Sequence, residues 1–123
     1  MQESTENYLE TIFMLSKDSK TIRSIDVANA LAYSRPSVSI AMNKLRQDGY
    51  IEVSSDGFIL LTKEGRNIAE AIFEKHTLIL NWLISLGVDK QIALKDACKI
   101  EHIISEQSFL AIKNFIAKAN PLT

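Results

Sequence analysis

The segment Cys98-Lys99-Ile100-Glu101-His102 sets a thiol, a carboxylate and an imidazole at positions i, i+3 and i+4. On a helix those positions share one face. Three side chains that ligate first-row transition metals are therefore expected to converge on one point. Earlier in the chain Asn7 and Glu10 stand at i and i+3, an amide oxygen beside a carboxylate. His76 lies between the two segments, and it and His102 are the chain's two histidines. Together Asn7, Glu10, His76, Cys98, Glu101 and His102 are the candidate ligands of a divalent cation. Each has an ordinary reading alone: Cys98 as a small buried hydrophobe, Glu101 as a partner of Lys95 or Lys99, His76 as a solvated helix residue, Asn7 as a surface amide. The shared face of Cys-x-x-Glu-His favours the metal over several separate accidents.

A second set of residues suits a different chemistry. Ser34-Arg35-Pro36-Ser37-Val38-Ser39 opens a helix, with Ser34 as the cap and Pro36 in the first turn, where no N–H is needed. The start of that helix presents the hydroxyls of Ser34, Ser37 and Ser39 and the guanidinium of Arg35. Such groups reach base edges or phosphates, and the helix N-terminus itself favours a phosphate oxygen. Lys44, farther along, is placed to hold a nucleic-acid backbone. Serine-rich helix starts are also simply good caps, so the weight falls on the elements around this one.

The apolar spacing predicts a first helix from about Ser4 to Lys17, with Tyr8, Leu9, Ile12, Phe13 and Leu15 on its inner side. A polar turn at Asp18-Ser19-Lys20 and a short extended segment, Thr21-Ile22-Arg23, follow. A second helix is expected from Ser24, read as its cap, to Ala32-Tyr33. The third helix buries Val38, Met42 and Leu45 and stops at Gly49. Tyr50 to Ser54 and Phe58 to Leu61 flank Ser55-Asp56-Gly57 as a hairpin. Thr62 caps a long helix reaching Leu86, Asp89 caps one through Ile104, and Ser105 caps a last one through Ala119, ended by Asn120-Pro121. Helix, extended segment, helix, tight turn, helix, hairpin is the order of a winged helix-turn-helix. The expected fold is mostly α with one small hairpin: a winged helix-turn-helix over 1–72 and a helical metal-binding and dimerisation domain over 73–123, the boundary falling inside the long helix.

Length and composition agree with a soluble chain of this kind. The 123 residues are 46% hydrophobic and 24% charged, enough apolar material for a packed core. No apolar run approaches the ~20 residues of a membrane span, the polar, acidic start points away from a secretory signal, and the single cysteine rules out an internal disulfide framework. A cytoplasmic protein is expected. The net charge of −1 argues mildly against nucleic acid. Its distribution softens that objection: residues 1–14 hold three acidic residues and no base, whereas residues 15–66 hold eight basic residues against six acidic ones. The hairpin tip, with Asp56, is a poor wing for phosphate contact.

Thr5-Glu6-Asn7-Tyr8-Leu9-Glu10-Thr11-Ile12, Arg35-Pro36-Ser37-Val38-Ser39, Leu61-Thr62-Lys63-Glu64-Gly65-Arg66, Lys75-His76 and Ala97-Cys98-Lys99-Ile100-Glu101-His102-Ile103-Ile104-Ser105 resemble the diphtheria-toxin-repressor and manganese-transport-regulator family of metal-dependent repressors. The resemblance spans essentially the whole chain. It implies a winged-helix domain, then a helical dimerisation segment, in a short form without the SH3-like barrel of longer members. It places metal ligands on Asn7, Glu10, His76, Cys98, Glu101 and His102, and DNA contacts on Ser34, Arg35, Pro36, Ser37, Ser39 and Lys44. Some positions depart from the family pattern. Asn7 is a neutral donor where Asp or Met is usual. Leu80, four residues after His76, cannot ligate where Glu is common, which favours one well-formed site over two. Cys98 replaces a second carboxylate and softens the site toward iron, cobalt, nickel or zinc. Fe(II) is the first expectation and Mn(II) the second, with Zn(II), Co(II) and Ni(II) also suited. Ile40 stands where a polar base-reading residue is expected, so the operator should differ.

The expected mechanism follows from the ligand positions. A cation joining Asn7 and Glu10 to the Cys98 segment offsets the repulsion of Glu10 and Glu101. It sets two reading helices, one per subunit of a homodimer, at the spacing of a palindromic operator in double-stranded DNA. Metal and DNA affinity are then coupled reciprocally. Because the thiolate is the ligand, metal affinity should fall with acid. The dimer face is expected to include Ile103, Ile104, Phe109, Ile112, Phe115 and Ile116. Neither a membrane nor a small organic cofactor is expected. Two rivals differ in class. A metallohydrolase would use Glu101 as base, but six ligands make a closed site. A winged-helix regulator that senses a small molecule or docks a protein would leave the metal without a role.

Overall fold

The computed structural model describes residues 3–19 and 21–119; Lys20 of the expected turn and the expected Asn120-Pro121 terminator lie outside the described residues. The elements are α1 (Glu3–Asp18), α2 (Ser24–Leu31), α3 (Arg35–Gln47), β1 (Ile51–Val53), β2 (Ile59–Leu61), α4 (Lys63–Ser85), α5 (Lys90–Ile103) and α6 (Glu106–Ala119). This is the winged helix-turn-helix followed by helices that the apolar spacing predicts. The chain divides into two compact units, residues 1–71 and 72–123.

The first unit is built on one core. Leu9 and Ile12 of α1, Val27 and Ala28 of α2, and Val38, Met42 and Leu45 of α3 are buried with Ile22, Ile51, Ile59 and Ala69. Antiparallel β1 and β2 pair Ile51 with Leu61, Glu52 with Leu60 and Val53 with Ile59. The Ile59 N–H also donates to the Ile22 carbonyl at 2.7 Å, so the extended segment before α2 lies along the far edge of β2. Gly57 closes the loop at φ 85°, its N–H bonded to the Ser54 carbonyl at 2.9 Å. Gly49 ends α3 at φ 84°, the left-handed conformation that glycine takes without penalty.

Two local details depart from expectation. Ser24 is the first residue of α2 rather than its cap; Arg23 holds the cap position. Arginine has no acceptor for a helix N–H, and the stabilisation comes the other way, from the Asp26 carboxylate accepting the Arg23 N–H at 2.9 Å. At the other end of α2, Ala32 takes φ 58° and ψ 38°, and its N–H bonds back to the Ala28 carbonyl. A left-handed alanine costs about 1–2 kcal/mol. Ala32→Gly should therefore stabilise the chain by about 0.5 kcal/mol, the relieved strain outweighing glycine's extra chain entropy of about 0.5–1 kcal/mol. Urea denaturation checks it, and a lower midpoint would contradict the strain.

Glycine has a different role at the start of α4. Thr62 caps that helix, accepting the Gly65 N–H at 3.1 Å while its hydroxyl donates to the Gly49 carbonyl at 2.8 Å. The Thr62 N–H donates to the Tyr50 carbonyl at 3.1 Å. Gly65 is buried, and a Cβ there would run into the Tyr50 carbonyl oxygen. The end of α3, the hairpin and α4 are pinned together through this one junction.

In the second unit Ile79, Ala93, Ala97 and Phe109 are buried. Asp89 caps α5 through the Gln91 N–H at 3.1 Å, and Ser105 caps α6 through the Ser108 N–H at 3.1 Å. Glu74 and Lys75 of α4 meet Lys113 at 3.2 Å and Glu106 at 3.5 Å. Pairs with solvent-exposed members contribute little energy, but these two stand immediately before His76 and tie its helix to α6.

Candidate functional site

His76, Cys98 and Glu101 come together within the second unit. Each offers a ligand atom, and all three atoms lie within 4.8 Å of one another. His76 comes from α4, and Cys98 and Glu101 come from α5, one turn apart. The Glu101 Oε2 lies 2.9 Å from His76 Nδ1, and Cys98 Sγ stands 3.9 Å from the same nitrogen. Glu101 is only 2% exposed; Cys98, at the rim, is exposed. Phe73 stacks near the His76 imidazole with ring centroids 6.4 Å apart.

His102 is placed differently from the single convergent face. It is not in that three-atom group; its Nε2 lies 3.4 Å from the other Glu101 oxygen, Oε1. On the shared face Glu101 lies about 60° to one side of Cys98 and His102 about 40° to the other, and the Glu101 rotamer turns one oxygen toward each imidazole.

The Glu101 carboxylate is where the fit to a cation can be judged. Among the described residues, buried Oε2 has no hydrogen-bond partner, although His76 Nδ1 lies only 2.9 Å away. A buried carboxylate oxygen without a hydrogen bond is costly. Ligand atoms about 2.1 Å from a central ion lie roughly 3–3.5 Å from one another, and the observed 2.9 and 3.9 Å separations bracket that range. Imidazole, thiolate and carboxylate are a donor set for Fe(II), Zn(II), Co(II) or Mn(II). The residues fit the ion. Asn7 and Glu10 lie one turn apart on α1 in the first unit; Asn7 is half-buried and Glu10 buried.

The nucleic-acid candidates gather at the start of α3. Ser34 caps the helix by accepting the Ser37 N–H at 3.3 Å, and its hydroxyl meets that of Ser37 at 2.8 Å. Pro36 sits in the first turn. Ser34, Arg35, Pro36, Ser37, Ser39 and Lys44 are all exposed. Arg35 and Ser39 line a small cavity of about 210 Å³ with Ser24 and Ile25 of α2. Arg23, just before α2, sets its guanidinium 4.6 Å from the centre of the Phe58 ring in the hairpin, a contact within the first unit that the spacing of the two residues does not announce.

The expected dimer face needs one correction. Phe109 is 2% exposed, with the Lys75 ammonium 5.9 Å from its ring centre, so it is core within its own subunit. Ile103 and Phe115 are exposed, and Ile104, Ile112 and Ile116 are half-buried. An open apolar cavity of about 690 Å³ lies between α4 and α6, lined by Phe73, Leu78, Trp82, Leu86, Phe115 and Ile116 among others. Among the described residues no helix is long and apolar enough to cross a membrane.

Comparison with known proteins bears on both units. Residues 1–57 match the family model for the iron dependent repressor, N-terminal DNA binding domain. Residues 62–120 match the model for the iron dependent repressor, metal binding and dimerisation domain. The chain is 33% identical over 117 residues to the transcriptional regulator MntR of Escherichia coli, covering 95% of this chain and 76% of that protein. It is 33% identical over 108 residues to the diphtheria toxin repressor of Corynebacterium diphtheriae, covering 85% of this chain and 47% of that protein. Among solved structures, the manganese regulator SloR superposes with a TM-score of 0.80 at 27% identity, over 91% of this chain and 53% of that one.

Proposed function

Since the chain belongs to the iron dependent repressor family over both its DNA-binding and its metal-binding and dimerisation domains, we propose that this metal-dependent DNA-binding repressor is activated by Fe(II) or Mn(II) held by Asn7, Glu10, His76, Cys98, Glu101 and His102. The observation that carries the site is the convergence of His76, Cys98 and Glu101 around a buried carboxylate oxygen that lacks a hydrogen bond. When bound, the ion supplies positive charge that offsets the carboxylates. The side chains divide the remaining work. Glu101 offers an oxygen to each imidazole, and the α4–α6 ion pairs of Glu74 and Lys75, just before His76, tie its helix to α6.

Fe(II) comes first because Cys98 gives the site a soft donor, and the family's own description names iron. Mn(II) comes second, since carboxylate and amide oxygens suit it and SloR is described as a manganese regulator. The partner we propose is double-stranded DNA carrying a palindromic operator. It is read by two copies of α3, with Ser34, Arg35, Pro36, Ser37, Ser39 and Lys44 at the contact. The homodimer would be closed through the apolar α4–α6 face. Metal-homeostasis genes are the natural targets, because the regulator then responds to the ion whose supply it controls.

A mobility-shift titration tests the reading. With Mn(II) or Fe(II) in excess, affinity for a selected duplex should rise about 5- to 150-fold over the same protein in chelator, the range of an ordinary allosteric coupling. Equal binding with and without chelator would remove the metal from the mechanism. Failure to select any duplex would remove the DNA.

A further inference from the structure

Ile40 stands out on α3. Its side chain is 72% exposed, while the helix buries Val38, Met42 and Leu45. At about 100° per residue, Ile40 lies roughly opposite that buried row, on a stripe with Pro36, Asn43 and Gln47, all of them exposed. Nothing local accounts for an isoleucine there. A β-branched residue is a mediocre helix former, and Asn43, on the next turn, is engaged by the Arg46 guanidinium at 2.7 Å. The stripe starts at the capped helix N-terminus, where the Ser34 and Ser37 hydroxyls cluster and a phosphate is favoured.

Resting on the reading that α3 enters the major groove, we propose that Ile40 is a specificity-determining residue that reads the C5-methyl group of a thymine. Isoleucine neither donates nor accepts a hydrogen bond. Against a purine or cytosine edge it would strip water from polar atoms and return nothing. Thymine alone presents a methyl group in the major groove, so the one favourable apolar contact on offer selects it. Removing one buried methyl group should weaken binding about fourfold. With one α3 on each half-site, removing both should weaken it about fifteenfold.

The test begins with selection of a duplex from a random library by the full chain in Mn(II). Each thymine of the recovered duplex is then replaced by uracil, which deletes only the methyl group. One symmetry-related pair of positions should weaken binding about fifteenfold for the native chain. The same change should be nearly silent for Ile40→Ala, whose exposed position predicts an unaltered thermal melt. Repeating the selection with Ile40→Gln should move the preference at that position toward adenine, the base glutamine reads through N6 and N7. If a duplex is recovered but no uracil substitution weakens binding, or Ile40→Ala remains as sensitive as the native chain, the thymine assignment is overturned while the repressor reading stands. If no duplex is recovered in Mn(II), nor when the selection is repeated anaerobically in Fe(II), the repressor reading fails and this inference falls with it.

Discussion

Glu101→Gln should leave the chain folded and erase the metal-dependent part of its DNA binding. The carboxamide has nearly the carboxylate's shape, so the packing around this 2% exposed residue survives. What changes is the donor set. Glu101 is the residue whose two oxygens face both histidines, His76 at 2.9 Å and His102 at 3.4 Å. An amide replaces one anionic oxygen with an N–H pair and removes the charge that a divalent ion needs nearby. Affinity in Mn(II) should drop by about 100-fold, the upper part of a normal coupling, to the value the native chain shows in chelator. Affinity in chelator should not change. Circular dichroism and fluorescence anisotropy together check it. A variant that still gains affinity with Mn(II) would show that the ion sits elsewhere.

Gly65→Ala should be among the most damaging single methyl additions in the first unit. In most helices the change would stabilise, by about 1 kcal/mol, because alanine is the better helix former. Here the new Cβ meets the Tyr50 carbonyl oxygen, which already accepts the Thr62 N–H. The backbone must shift, and with it the Thr62 cap that ties α4 to Gly49. Overpacking against rigid backbone should cost about 3 kcal/mol. At an m-value of about 2 kcal/mol/M, the urea midpoint should fall by roughly 1.5 M. An unchanged or raised midpoint would mean that the junction is loose.

These two residues show what spacing can and cannot convey. Ser34, Thr62, Asp89 and Ser105 were legible as caps because each pairs a short polar side chain with an apolar helical run, and all four accept the N–H expected of a cap. The hairpin was legible from two short β-rich runs around a glycine turn. The shared face of Cys98 and Glu101 followed from helical spacing alone. Its meeting with His76, 22 residues away, rested on chemistry rather than on periodicity. Spacing could not say which oxygen of Glu101 each histidine would face, because that is decided by rotamers. Ala32 carries no mark of its left-handed backbone. Nor does Gly65 announce a close approach, since a glycine in a helix reads only as a weak helix former. Phe109 and Phe115 fall six positions apart, and periodicity does not say which aromatic ring faces inward.

The strip of chain at Ile22 has a consequence for solubility. A two-stranded ribbon offers bare amide and carbonyl rows on its flanks, an invitation to add strands from other molecules. The Ile59 N–H is already spent on Ile22, while the opposite flank is a three-residue strand with charged Glu52 at its centre. With Leu60 bare on the outer face and Val53 open at the end of the inner one, those two guards oppose the stacking of ribbon upon ribbon.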